Sequence, residues 1–312
     1  MMNQLETPEF SKYKRTPMFM TPIEDNARLK EHTRQVHCGL CPNNCVIKNG
    51  EFGACGVRGN KNGNGIIPFY GFISSLASDP IEKKPLYHFM PGTSILSLGF
   101  AGCNLRCPFC QNWRISQNTD ISGRWMQPGE IVSTALKYDS PSIAYTYSEP
   151  LVHIEYVLDC MALAQKHRIA NVLVTNGCIN KNAAEEILKF TDAANVDLKC
   201  FSQESYRKIL AGGISGADLL RSVCDFIKLC FNMNVHLEVT TLVVPDFNDS
   251  NNELDYIVEF IASVNKDIPL HLTAYHPDYR WNAPPTDPKF LLNAAKEAGK
   301  KLTYVHTGNI RI

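Results

Sequence analysis

Apolar runs of β character alternate along most of the chain with segments in which apolar residues recur every three or four positions. Strands are expected over 94–99, 142–146, 171–175, 194–198, 235–244, 269–274 and 302–305. Between them, Ile154, Val157, Leu158 and Met161, and again Leu254, Ile257, Val258 and Ile261, fall on one face of a helix. Asp249 and Ser250 are suitable caps for the second of these helices. Strands and helices in strict alternation specify right-handed βαβ units around a parallel sheet, an α/β fold. Six or seven such units suit a barrel or partial barrel, and a doubly wound sheet is the alternative. In either case the chemistry belongs on the loops at the C-terminal ends of the strands. Residues 1–92 lie outside this repeat and form a Gly- and Asn-rich lobe, leaving 93–312 for the barrel.

The loop leaving the first expected strand carries Cys103, Cys107 and Cys110, spaced Cys-x3-Cys-x2-Cys. Three thiolates in one turn hold a [4Fe–4S] cube by three irons and leave the fourth iron open. A structural zinc site or three buried thiols are the other readings, although closed zinc sites use four ligands, usually in two separated pairs. Phe109, just before the last cysteine, would shield a cluster from solvent.

With its aromatic residue, this triplet resembles the radical S-adenosylmethionine (SAM) superfamily. Longer stretches are similar to the radical SAM enzyme of the AmmeMemoRadiSam system, itself similar to the activating enzymes of pyruvate formate-lyase and other glycyl-radical enzymes. They are Asp79-Pro-Ile-Glu-Lys-Lys-Pro-Leu-Tyr-His88, Gly102-Cys-Asn-Leu-Arg-Cys-Pro-Phe-Cys-Gln-Asn-Trp113, Tyr145-Thr-Tyr-Ser-Glu-Pro150, Val174-Thr-Asn-Gly177, Asn195-Val-Asp-Leu-Lys199 and His276-Pro-Asp-Tyr279. The resemblance spans about Cys38 to His306. It implies an open (β/α)6 barrel, a [4Fe–4S] cluster on Cys103, Cys107 and Cys110, and SAM chelated by the open iron. It also implies reductive cleavage of SAM to a 5′-deoxyadenosyl radical that abstracts hydrogen from a substrate.

On that reading no catalytic residue is assigned beyond the cluster. Glu149, held extended before Pro150, would accept a hydrogen bond from the methionyl ammonium; otherwise it is a solvated acid at a helix start. Where the superfamily commonly has Gly-Gly-Glu-Pro, this chain has Tyr147-Ser148-Glu149-Pro150, which removes glycines that would let backbone approach a ligand. Asn176 would meet the ribose or carboxylate, or belong to a plain loop. Asp197 and Lys199 match positions that face cofactor and substrate in activating enzymes, or are two exposed charges. Val243 would pack on the adenine, or be core, and His276 would face the substrate, or be an ordinary loop histidine. The charged, proline-rich segment 79–88 is expected to cover the barrel mouth.

A second set, Cys38-x2-Cys41-x3-Cys45-x9-Cys55, supplies four soft ligands in the N-terminal lobe, suiting either zinc or an auxiliary [4Fe–4S] cluster. The other cysteines, Cys160, Cys178, Cys200, Cys224 and Cys230, are scattered and expected to be buried packing.

Acidic and basic side chains balance at 31 each, so no broad basic field invites nucleic acid or a membrane surface. Lys12-Tyr-Lys14-Arg15 is only a short basic run. No apolar run reaches the length of a membrane span, and residues 1–20 lack the apolar core of a signal peptide. A cytoplasmic protein is expected, its 12 cysteines devoted to metal rather than disulfides. Expected partners are an electron donor such as flavodoxin or ferredoxin, and either a protein substrate or co-occurring partner proteins. Three other functions are weighed against the radical enzyme: an activating enzyme for a glycyl-radical enzyme, an iron–sulfur electron carrier and a zinc-stabilised interaction protein.

Overall fold

The computed structural model of the chain describes residues 15–23, 34–118, 121–211 and 218–310. Lys12 and Lys14 of the short basic run lie outside them.

In the N-terminal lobe, β1 (Met20–Ile23), β2 (Gln35–Cys38) and β3 (Cys45–Lys48) form an antiparallel sheet, beside the hairpin of β4 (Gly59–Lys61) and β5 (Asn64–Ile66). β6 (Phe72–Ile73) pairs with β9 (Arg124–Trp125). β7 (Ser75–Pro80) then runs antiparallel along the whole of β8 (Ser94–Gly99). The part of the chain read as a separate lobe up to residue 92 therefore contributes the edge strand of the barrel sheet.

From β8 the α/β repeat proceeds as expected: α1 (Trp113–Ser116), α2 (Pro128–Lys137), β10 (Ser142–Thr146), α3 (Ile154–Lys166), β11 (Ala170–Thr175), α4 (Lys181–Leu188), β12 (Ala193–Asp197), α5 (Gln203–Ser205), α6 (Leu219–Asn232), β13 (His236–Val243), α7 (Asn251–Val264), β14 (Leu270–Ala274), α8 (Pro288–Ala298) and β15 (Val305–Gly308). The eight-stranded sheet has the order β15-β14-β13-β12-β11-β10-β8-β7, with every neighbouring pair parallel except β7·β8. Among the described residues no pairing joins β15 to β7, so the sheet curls as an open, partial barrel. β8 and β10 are buried almost throughout, as strands covered on both faces must be.

The helical periodicity is realised in α3, where Ile154, Val157 and Met161 are buried, and in α7, where Leu254, Ile257, Val258 and Ile261 are. Ser250, not Asp249, caps α7 by accepting from the Glu253 amide at 3.2 Å. The last strand lies at 305–308 rather than 302–305, because Leu302 is drawn into the core at the end of α8.

Residues 81–92 do not cover the mouth. Ile81 and Leu86 are fully buried against Ile95, Val172 and Ala193, in the N-terminal halves of their strands, and Ala144, at the middle of β10, so the segment plugs the end opposite the cysteine loop. Burying each such side chain stabilises by about 1.5–3 kcal/mol, and the lower lumen is where that burial is available. Buried Glu238 fixes the plug by accepting from the Tyr87 amide at 3.1 Å and the His88 amide at 2.9 Å. Its carboxyl is held below the ordinary range, because these amides together with His236 and His271 overcome the opposing effect of burial.

The lobe is tied to the barrel through Arg58 and Glu155, both 1% exposed and paired in fork-to-fork geometry at 2.8 Å for each contact. Arg58 also donates to the Met18 carbonyl, while the Met18 amide donates to Glu155 at 2.7 Å. No helix among the described residues is long and apolar enough to cross a membrane.

Candidate functional site

A cavity of about 530 Å³ opens at the C-terminal ends of the strands, and Cys103, Cys107, Cys110, Glu149, Asn176, Asp197 and Lys199 all line it. The first three come from the loop after β8. Gly102 enters that loop at φ +76, and a Cβ on it would lie 2.4 Å from the Cys55 carbonyl oxygen, so only glycine fits. His153 steadies the same turn, stacking on Phe100 and donating from Nε2 to the Ala101 carbonyl at 2.7 Å. Burial pushes its pKa down to about 4, which keeps the ring neutral at physiological pH.

Burial also governs the thiols. Cys103 is raised well above the ordinary thiol value, by desolvation first and by the nearby Glu149 carboxylate second. Cys107 is pushed up to about 12 by desolvation, against which Lys199 acts only partly. Such thiols ionise when a cationic centre binds them. Donors already face Cys103, the Leu105 amide at 3.3 Å and Asn176 Nδ2 at 3.6 Å, and the Ser116 hydroxyl oxygen lies 3.1 Å from the Cys110 sulfur.

Glu149 lies three residues beyond the end of β10 and caps the short 3₁₀ turn Pro150–His153, accepting from the Leu151 amide at 3.0 Å. It is not a solvated acid. Only 1% exposed, it also accepts from the Thr175 hydroxyl at 2.7 Å and the Asn176 amide at 2.9 Å. An ionised carboxylate offers about four acceptor positions, so capacity remains toward the cavity. Desolvation raises its pKa to about 7, opposed by those three donors and assisted by Asp197. Asn176 links carboxylate to thiol, because its amide meets Glu149 while its side chain reaches Cys103 and also donates to Asn104 Oδ1 at 2.9 Å. Lys199 donates to Asp197 at 2.9 Å and is held protonated, because the Asp197 carboxylate outweighs the burial that would discharge it.

Two of the expected site residues are not brought to the cavity. Val243 is fully buried in the core, and its strand neighbour Leu242 lines the cavity instead, as alternation along β13 requires. His276 is exposed, and its Nε2 lies 3.1 Å from the Asn309 carbonyl.

The sequence reading missed Lys84, His271 and the role of Tyr147. Lys84 reaches the cavity from the plug, only 2% exposed, and donates to Asp79 at 2.6 Å beneath the Tyr147 ring. The Tyr147 hydroxyl donates to the same Asp79 carboxylate. Tyr147 adopts φ 68 at the place where the superfamily commonly has glycine, so the glycine-like backbone turn is kept without glycine. Left-handed backbone at a non-glycine residue costs about 1–3 kcal/mol, and the Asp79 contact offsets it. Tyr147→Phe is expected to destabilise the fold by about 1.5–3 kcal/mol, the worth of a hydrogen bond to a charged group. Urea unfolding would measure it; an unchanged midpoint would mean that Lys83 and Lys84 alone hold Asp79. The lysine pair between Pro80 and Pro85 was the available signal, masked by its resemblance to a solvated charge run.

Comparison with known proteins agrees with this geometry. Over 301 residues the chain is 38% identical to protein MJ0808 of Methanocaldococcus jannaschii, described as uncharacterized, covering 95% of this chain and 85% of that protein. It is 26% identical to the pyruvate formate-lyase-activating enzyme of Clostridium pasteurianum over 57% of this chain and 73% of that enzyme. The solved structure of TYW1 with a lysine-pyruvate adduct bound shares the fold at a TM-score of 0.51 and 17% identity, over 68% of this chain and 74% of that one. Residues 98–261 match the Radical SAM superfamily. With the cysteine loop, the carboxylate and the cavity on one end of an open barrel, the chain is an enzyme of the radical SAM superfamily.

Proposed function

We propose that the protein reductively cleaves SAM and uses the resulting radical to abstract hydrogen from a substrate held in the cavity beside Lys84 and His271. The superfamily implies SAM and a [4Fe–4S] cluster, and the residues present fit such a cluster: three thiols on one loop, one buried and two half-buried, face one cavity, and among the described residues no fourth cysteine lines it. That convergence of Cys103, Cys107 and Cys110 with Glu149 is the observation that carries the reading. When bound, the cluster supplies the single electron that breaks a carbon–sulfur bond of the sulfonium and yields a 5′-deoxyadenosyl radical.

The chain's own residues supply the rest. Cys103, Cys107 and Cys110 would hold three irons of the cluster and leave the fourth open for a ligand. Glu149, fixed by three donors, accepts the methionyl ammonium in a charge-assisted bond. Asn176 keeps that carboxylate in register with Cys103, and Asp197 and Lys199 present one acceptor and one donor on the facing wall. A cavity of about 530 Å³ falls within the ordinary range for small-ligand sites. The electron comes from a low-potential carrier of the ferredoxin or flavodoxin class. Activation of a glycyl-radical enzyme is not favoured, because its representatives are distant, at 26% identity over 57% of the chain for the Clostridium pasteurianum enzyme.

Anaerobically reduced protein incubated with SAM is expected to release 5′-deoxyadenosine and methionine. No 5′-deoxyadenosine with several low-potential reductants would overturn the reading.

Glu149 adds a pH test. Burial raises its carboxyl to about 7, and the ammonium of SAM requires the ionised form. Binding of SAM is therefore expected to weaken as pH falls from about 7, because the proton held by Glu149 must then be displaced. Glu149→Gln should bind SAM roughly 10- to 150-fold more weakly, the equivalent of a 1.5–3 kcal/mol hydrogen bond, and lose that pH dependence. Equal pH profiles for the two proteins, measured by calorimetry, would remove Glu149 from the binding role.

A further inference from the structure

We propose that Cys38, Cys41, Cys45 and Cys55 ligate a second iron–sulfur cluster that lies against the cysteine loop of the barrel and passes it an electron. Its electron-transfer part rests on the radical reading above; its metal-binding part does not.

The four thiols are gathered by the lobe's own fold. Cys38 ends β2 and Cys45 begins β3, and the two are register partners across the antiparallel pair. Cys41 sits in the turn between them, and Cys55 in the loop before β4. Cys41 is close enough to the other three to interact with each electrostatically, and all four are free thiols. Backbone amides point at the sulfurs as they do around bound metals: Asn43 N–H toward Cys41, Ala54 N–H toward Cys45 at 3.4 Å, and Val57 and Arg58 N–H toward Cys55. Hydrogen bonds of this kind help set the potential of an iron–sulfur cluster.

Four thiolates suit either a closed zinc site or a fully ligated [4Fe–4S] cube. The lobe's contact with the barrel's cysteine loop favours the cluster, because a redox centre gains a use from that position and zinc does not.

Position supplies the function. The Cys55 carbonyl packs against Gly102, the residue before Cys103. Arg106 clamps both segments, donating to the Cys103 carbonyl at 2.7 Å and to the Ala54 carbonyl. Asn43 donates to the Asn104 carbonyl at 3.1 Å. Cys178 interacts electrostatically with both Cys41 and Cys103. A centre on the lobe cysteines would thus contact the barrel loop directly. In the transfer, a carrier of the ferredoxin or flavodoxin class reduces the lobe cluster by one electron. The lobe cluster is then reoxidised as the barrel cluster is reduced, with no bond made or broken and no proton moved.

The test uses full-length protein reconstituted anaerobically with iron and sulfide. Wild type is expected to hold about eight irons per chain, and the variant Cys103→Ala/Cys107→Ala/Cys110→Ala about four. That variant should also show broad visible absorption and an electron paramagnetic resonance signal after dithionite reduction. Adding Cys41→Ala to it should remove most of that iron. A triple variant without iron, or one carrying zinc and no visible absorption, would overturn the second cluster even if wild type still forms 5′-deoxyadenosine. In reduced wild type the two signals should be split or broadened by spin coupling. A spectrum equal to the sum of the separate clusters, the second taken from Cys38→Ala/Cys41→Ala, would overturn the electron transfer.

Discussion

Alanine in place of Cys103, Cys107 or Cys110 is expected to reduce 5′-deoxyadenosine formation to the level of buffer, whichever of the three is replaced. On the proposed reading the cube would have three protein corners and SAM would take the vacant one; removing a ligand would leave two. Among the described residues no other thiol lines the cavity to replace the lost one. Cys178, near enough to feel Cys103, has its sulfur 4.0 Å from the Leu219 carbonyl. Chromatographic assay of 5′-deoxyadenosine, run beside iron analysis and circular dichroism, separates cluster loss from unfolding. A folded single variant that retained even a tenth of the wild-type rate would mean that the triplet is not the cluster's ligand set.

Arg58→Ala is expected to destabilise the protein by about 3–5 kcal/mol, because it leaves the Glu155 carboxylate buried without its partner. Both side chains are 1% exposed, so water cannot replace the guanidinium. The loss would detach the lobe from α3, since Arg58 and Glu155 also anchor the backbone of Met18. Replacing both partners by apolar residues of similar size, Arg58→Met with Glu155→Leu, should recover most of that loss, because the isolated buried charge is then absent. Urea unfolding of the single and double variants measures this. A single variant as stable as wild type would show that the lobe is held by its other contacts.

Arg58 also illustrates how unevenly the molecule can be read from its residues. In the sequence Gly56-Val57-Arg58-Gly59 nothing distinguishes it from a surface arginine, and its partner lies 97 positions away. The plug formed by residues 81–92 was misjudged for a related reason. Its charges suggested an exposed cover over the mouth, whereas Ile81 and Leu86 decided the outcome by entering the lower lumen and carrying Lys84 in with them. Val243 and Leu242 show the limit within a single strand: both are apolar, and only the curl of the sheet determines which faces the cavity.

Local chemistry is a different matter. The spacing of Cys103, Cys107 and Cys110, the periodicity of α3 and α7 and the alternation of strand and helix each express constraints acting over a few residues, so the chain alone determined the barrel repeat, the cysteine loop and its place at a strand end. Tertiary structure alone decided which distant groups meet: Glu149 with Thr175 and Asn176, Tyr147 with Asp79 and Lys84, and the lobe cysteines with the barrel loop. Those contacts depend on how far the sheet curls and where apolar area can be buried. Both are set by the packing of the whole chain, and no short stretch of residues encodes them.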